Sequence, residues 1–194
     1  MTKRLAKLLR AVMTPPVFAA ALCTLLYVLL PGSFSSAGHF LAALGFLTGL
    51  PLLAYPVAAL VPTLRRKGRE GQRNLALVFS VVGYVGGFTF AMLADGTVTE
   101  KVLFATYLCS GAALAVCTLL HFKASGHTCG CSGPIAMLAL YVSPWFLFCY
   151  PLLTLTVWSS RRLGRHTPSQ LFVGAVIPVV MMFLCRAEFT FFLP

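Results

Sequence analysis

Residues 134–158, PIAMLALYVSPWFLFCYPLLTLTVW, read either as one membrane crossing or as two short helices folded back on each other. The run exceeds the roughly 20 residues that span a hydrocarbon core of about 30 Å. Pro144 and Pro151 interrupt it, however, and a proline inside a helix removes a hydrogen bond and kinks the chain. Polar segments with a histidine flank it: FKASGHTCGCSGP, ending at Pro134, carries His127, and RRLGRHTPSQ, starting at Arg161, carries His166. One crossing would put these histidines on opposite membrane faces. Two tilted helices turning near Ser143-Pro144 would bring them to the same face.

The remaining sequence is that of a membrane protein. Of 194 residues, 59% are hydrophobic and 10% charged, where a soluble domain carries about a quarter charged. Apolar runs at roughly 14–31, 39–62, 75–93 and 102–121, and a last one from Ser169 to about Phe192, have the length of crossings. None alternates as barrel strands do, and only helices and closed barrels satisfy their backbone in lipid. The expectation is an all-α polytopic bundle of six to seven transmembrane helices. It forms one domain over residues 1–194, with the amphipathic N-terminal segment MTKRLAKLLRAV at the headgroups.

Fifteen Lys and Arg stand against four acids, Glu70, Asp95, Glu100 and Glu188. So few carboxylates argue against magnesium or calcium clusters, and no cofactor is expected. The cationic balance suits anionic partners; because most of the chain is apolar enough for the bilayer, these are lipid phosphates and not nucleic acid. Five of the seven cysteines lie in apolar runs and read as small hydrophobes. Cys129 and Cys131 form a C-x-C with no second pair, a weak zinc signal. With seven crossings, the basic clusters (the N-terminus, Arg65 to Arg73, Lys123, Arg161 to Arg165) share one side, which the positive-inside rule makes cytoplasmic. The oligomeric state is not legible.

Three polar loops then combine. Arg66 and Arg73 come from the first, Lys123, Ser125, Gly126 and His127 from the second, and Arg161, Arg162, Arg165 and His166 from the third. Two histidines among guanidiniums suit transfer of a phosphoryl group without a metal. Arginines clamp phosphate oxygens, one neutral imidazole attacks phosphorus, and the other, protonated, serves the departing alkoxide.

KASGH followed by RRLGRHTPSQLFVGA resembles the type 2 phosphatidic acid phosphatase superfamily, whose signature is K-x6-R-P, then P-S-G-H, then S-R-x5-H-x3-D. The resemblance covers residues 66–175 and implies a metal-independent integral membrane lipid phosphatase. Its substrates would be phosphatidic acid, phosphatidylglycerol phosphate or a polyprenyl pyrophosphate. Arg66 and Arg73 match the first motif with Arg for Lys, and Asn74 stands where proline is usual. The resemblance makes both arginines phosphate ligands. Ser125 and the Gly126 N–H would bind phosphate oxygens, Lys123 would accompany them, and His127 would protonate the leaving group. His166 would be the nucleophile that becomes phosphohistidine.

Two departures matter. The motif arginine falls on Ser160, so Arg161 or Arg162 would have to reach the phosphate, and the motif carboxylate falls on Gln170, whose carbonyl would accept the Nδ1 proton of His166. These departures also support an alternative, a non-catalytic lipid-phosphate binder or transporter; an anion channel is a third reading. Outside the site, His39 and His121 read as interfacial residues, and Trp145, Trp158 and Tyr150 as interface anchors. Gly83, Gly86 and Gly87 read as close helix contacts, and Arg186 with Glu188 as an ion pair.

Overall fold

The computed structural model describes residues 2–192, apart from the side chains of Arg69, Glu70, Arg73 and Phe192. All regular structure among the described residues is helical. Helix α1 (Lys3–Val12) turns 45° into α2 (Pro15–Leu29), whose first turn carries the proline pair Pro15-Pro16. Prolines there have no intrahelical N–H to lose. The next span runs through α3 (Ala37–Leu44), a π-turn (Gly45–Gly49) and α4 (Leu50–Leu60). The short α5 (Pro62–Arg66) leads into α6 (Gly68–Leu93), and α7 (Val98–Leu119) returns beside it. Then come α8 (Gly126–Tyr141), a 3-10 turn (Pro144–Cys149), α9 (Tyr150–Arg162) and α10 (Pro168–Ala187), which ends in a π-turn (Glu188–Phe192).

Four helical stretches are long and apolar enough to cross a membrane: Ala37–Leu60, Asn74–Leu93, Val98–Leu119 and Pro168–Phe191. The bent pair α1–α2 makes five if counted as one span. Large apolar side chains such as Leu53, Leu77, Phe172 and Leu184 are exposed, as suits a lipid-facing surface. Inside, Leu22, Leu26, Leu47, Phe104, Met137 and Met182 make a continuous core. The tightest seams use glycine. A Cβ on Gly87 would stand 2.2 Å from the Phe104 ring, and one on Gly83 2.2 Å from the Phe46 carbonyl oxygen.

The 134–158 run folds as a hairpin. The chain leaves α8 at Tyr141, Ser143 caps the 3-10 turn by accepting from the Trp145 N–H, and α9 starts with Pro151 in its first turn. Both prolines therefore sit where a helix begins, and neither breaks one. At 16 and 13 residues, α8 and α9 reach about 24 and 20 Å, each shorter than a full hydrocarbon core.

The two ends of the bundle differ. At one end the turns before α3 and α7 are clasped together. Glu100, only 1% exposed, accepts from the Ser35 N–H and meets His39 Nδ1 at 2.7 Å. Thr97 Oγ1 donates to the Ser33 carbonyl at 2.7 Å, and Ser35 Oγ to the Asp95 carbonyl at 2.9 Å. His39 is therefore a carboxylate-paired clasp, more than the interfacial residue expected. Arg186 lies over the Tyr141 ring at 5.4 Å. Among the described residues it forms no ion pair with Glu188, so that expected pair is corrected to a cation–π contact, which a half-buried guanidinium makes with less desolvation.

Candidate functional site: two imidazoles at the basic end

The polar stretch after Phe122 is mostly helix. Gly126 opens α8, and Thr128 to Leu138 are buried. Its small residues serve packing: a Cβ on Gly174 of α10 would lie 2.5 Å from both the Ser125 carbonyl oxygen and Thr128 Oγ1, and one on Gly130 would lie 2.5 Å from Pro15 of α2. Polar bonds stitch the same seam. The Ser125 N–H donates to the Gln170 carbonyl at 3.0 Å, Thr128 Oγ1 to the Leu171 carbonyl at 3.0 Å, and Ser132 Oγ to the Ala175 carbonyl at 2.8 Å. The start of α8 is thus fixed against the start of α10, with His127 in the first turn of α8 and His166 two residues before α10.

His166 follows the turn Leu163–Arg165, in which Gly164 has a φ of +62°. Its Nδ1 lies 3.2 Å from the Lys123 carbonyl oxygen. A carbonyl only accepts, so Nδ1 carries the proton and Nε2 keeps a lone pair. The carbonyl takes the role expected of the Gln170 side chain. Gln170 Oε1 accepts from the Thr167 N–H at 3.0 Å while Thr167 Oγ1 accepts from the Gln170 N–H, closing a capping box on α10. Its side chain still lies near enough to His166 to favour the protonated imidazole.

His127, half-buried in the first turn of α8, faces a residue from the other end of the chain. Arg10 of α1 donates from Nη1 to Ser160 Oγ at 2.7 Å, and its Nη2 lies 3.4 Å from His127 Nδ1. A guanidinium only donates, so Nδ1 is the acceptor and the neutral ring carries its proton on Nε2. Burial, then the Arg10 charge, then His166 push the His127 pKa down to about 3. His166 is lowered too, first by burial and then by Arg10 and Lys123, against the opposing pull of the Lys123 carbonyl and Gln170. Both rings are neutral near pH 7, in one electrostatic neighbourhood.

The other expected ligands are distributed unevenly. Lys123 is exposed and close enough for its charge to act on His166. Gly126 is exposed in open space. The caps use the N–H groups of Ser125, Thr128 and Cys129, so helix geometry leaves those of Gly126 and His127 as the open donors of α8. Ser125 is fully buried and its Oγ accepts from the Thr128 N–H at 3.4 Å. Expected as a phosphate ligand, it serves here as the buried cap of α8. Arg161 and Arg162 are exposed in the last turn of α9, and among the described residues neither makes a side-chain bond to the histidines. Arg66 ends α5 and lines a recess with Leu60, Pro62 and Arg65, likewise without a bond to either imidazole. The expectation for Arg73 falls on a side chain outside the described residues.

Arg10 is the residue the sequence reading missed as a site residue. Spacing alone puts Arg10 on one helical face with Ala6 and Met13, both buried in the structure, but does not say which helix that face meets. Among the described residues no group of three His, Cys, Asp or Glu side chains is placed to hold a metal ion. Cys129 and Cys131 are buried free thiols. The chain matches none of the protein-family models, curated proteins or solved structures with which it was compared.

Proposed function

We propose that this chain is a metal-independent membrane lipid phosphatase, acting on a phosphomonoester or pyrophosphate of a lipid alcohol through a phosphohistidine. In this reading α2, the α3–α4 span, α6, α7 and α10 cross the membrane, and α8 with α9 forms a short hairpin that enters and leaves at the basic end. The basic end, with the site, faces the cytoplasm, and substrate enters sideways from the bilayer. Phosphatidic acid, phosphatidylglycerol phosphate and polyprenyl pyrophosphates are the candidate substrates, on the strength of the motif resemblance.

One observation supports the reading above all others: the lone pair of His166 Nε2, set by the Nδ1 bond to the Lys123 carbonyl, shares a cation-rich neighbourhood with His127. The chemistry follows from the tautomers. His166 Nε2 forms a bond to phosphorus while the bond from phosphorus to the lipid oxygen breaks. The departing alkoxide takes a proton from His127. Water then forms a bond to phosphorus as the phosphorus–nitrogen bond breaks and gives a proton to His127; His166 is restored, and that proton leaves with the inorganic phosphate. His127 is neutral in the empty site, so its proton must arrive with the substrate. A phosphomonoester, whose second pKa is about 6, enters partly as the monoanion and can deliver it. Negative charge at the phosphate then offsets the repulsion that held the imidazole neutral.

The binder or transporter alternative draws on the same contact between Arg10 and His127, which in the empty site opposes a protonated acid. Release of inorganic phosphate from a panel of phosphorylated lipids, measured in EDTA with wild type and His166→Ala, separates the two. The enzyme releases phosphate and the variant does not; a binder releases none in either form, and equal release by both refutes the catalytic reading.

A further inference from the structure

The motif resemblance asks for an arginine at position 160, and the chain has a buried serine there. That serine is occupied by a guanidinium from α1. Arg10 spans from Ser160 Oγ at 2.7 Å to His127 Nδ1 at 3.4 Å, and its charge acts on both imidazoles. Arg161 and Arg162, the neighbours on α9, are exposed instead. Two structural features hold Arg10 in this position. The α1 helix packs along α9, and Pro15 closes on Gly130 so tightly that a Cβ there would overlap its ring. The N-terminal segment thus reaches the histidines through Arg10.

We propose that Arg10 is a phosphate-binding residue of this site, supplied by the N-terminal amphipathic helix in place of the arginine that Ser160 replaces. The assignment rests on the phosphatase reading and deepens it. Guanidinium donors lie in a planar fork, so one nitrogen can stay on Ser160 while the other exchanges His127 Nδ1 for a phosphate oxygen. The exchange frees Nδ1 to take a proton just when a phosphate arrives. Ser160 is then the pivot, a positioning residue, and Arg10 couples substrate binding to the protonation of His127. The Gly126 and His127 N–H groups supply further donors on the same side.

The test uses the full chain in detergent with inorganic phosphate as the probe. Phosphate affinity is measured by calorimetry, and the imidazole titrations by NMR. Arg10→Gln removes the charge and the fork and shortens the side chain by two atoms, while keeping one N–H donor. We expect it to weaken phosphate binding about 10- to 100-fold, the worth of one charge-assisted bond, and to move the His127 titration up from about 3. Arg10→Lys, with charge but no fork, should fall between. Adding Ser160→Arg to Arg10→Gln should recover most of the loss. Unaltered affinity in Arg10→Gln overturns the assignment, as does a loss that the double variant does not recover, since that assigns the loss to packing of α1. Wild type that neither binds phosphate nor releases it from lipids refutes the phosphatase reading itself. Wild type that does both while Arg10→Gln matches it refutes this assignment alone.

Discussion

The two ends of the bundle both contain histidine, and they treat it in opposite ways. At one end His39 Nδ1 meets the buried Glu100 carboxylate at 2.7 Å, and the same carboxylate accepts from the Ser35 N–H. The Glu100 carboxylate there has hydrogen-bond partners in Ser35 and His39, and the result is a clasp between two turns. At the other end His127 and His166 are surrounded by Arg10 and Lys123, and both are pushed toward the neutral form. Positive groups crowded around neutral imidazoles leave a deficit that an anion would fill. A satisfied histidine holds the fold; a pair of histidines among cations is equipped to act.

Substitutions can break this contrast. The largest effect should come from His166→Ala, which removes the only Nε2 lone pair set by the Lys123 carbonyl; phosphate release should vanish from every lipid, as a malachite-green assay would register. His127→Ala should slow release by about 10²- to 10⁴-fold, the range for a lost general acid, with substrate binding less affected.

Glu100→Ala at the opposite end should do the reverse. Leaving the Ser35 N–H and His39 without their acceptor costs about 1–3 kcal/mol, seen as a lower thermal midpoint, while turnover per folded molecule is unchanged. Acid sharpens the comparison further. The His127 pKa falls from an ordinary 6.5 to about 3 on folding, so the unfolded chain binds more protons. Its contribution to stability is complete above about 6.5 and is lost as pH falls through about 3. Removing Arg10 should shrink that loss, which denaturation at pH 7 and pH 4 would reveal. Smallest of all, Gln170→Ala should cost about 1 kcal/mol through the capping box on α10, with little change in the bond from His166 to Lys123.

The sequence carried the coarse plan well. Apolar runs of crossing length became the helices, and the pair Pro144 and Pro151 marked a turn because prolines are tolerated at helix starts. The juxtaposition of His127 and His166 was legible because the hairpin had a proline signal and the histidines had a motif. What failed did so for identifiable reasons. The stretch Gly126 to Pro134 reads as a loop by composition, yet its glycines and serines let α8 sit close to α2 and α10. Ser125 and Gln170 were read for their chemistry, and the helix ends claimed their side chains first. Arg66 and Arg10 show the limit most clearly. Both are arginines in basic clusters, but only Arg10 lies on a buried face, and long-range placement of a helix against α9 is not encoded in local spacing.

The central claim is that His166 takes the phosphoryl group while His127 attends the leaving oxygen. The direct measurement is acid-free rapid quenching of the protein with a lipid carrying ³²P in its phosphate, followed by peptide mapping. The account predicts base-stable, acid-labile label on the peptide containing His166, lost in His166→Ala and formed more slowly in His127→Ala. Phosphate turnover with label on another residue, or persisting in His166→Ala, would contradict it.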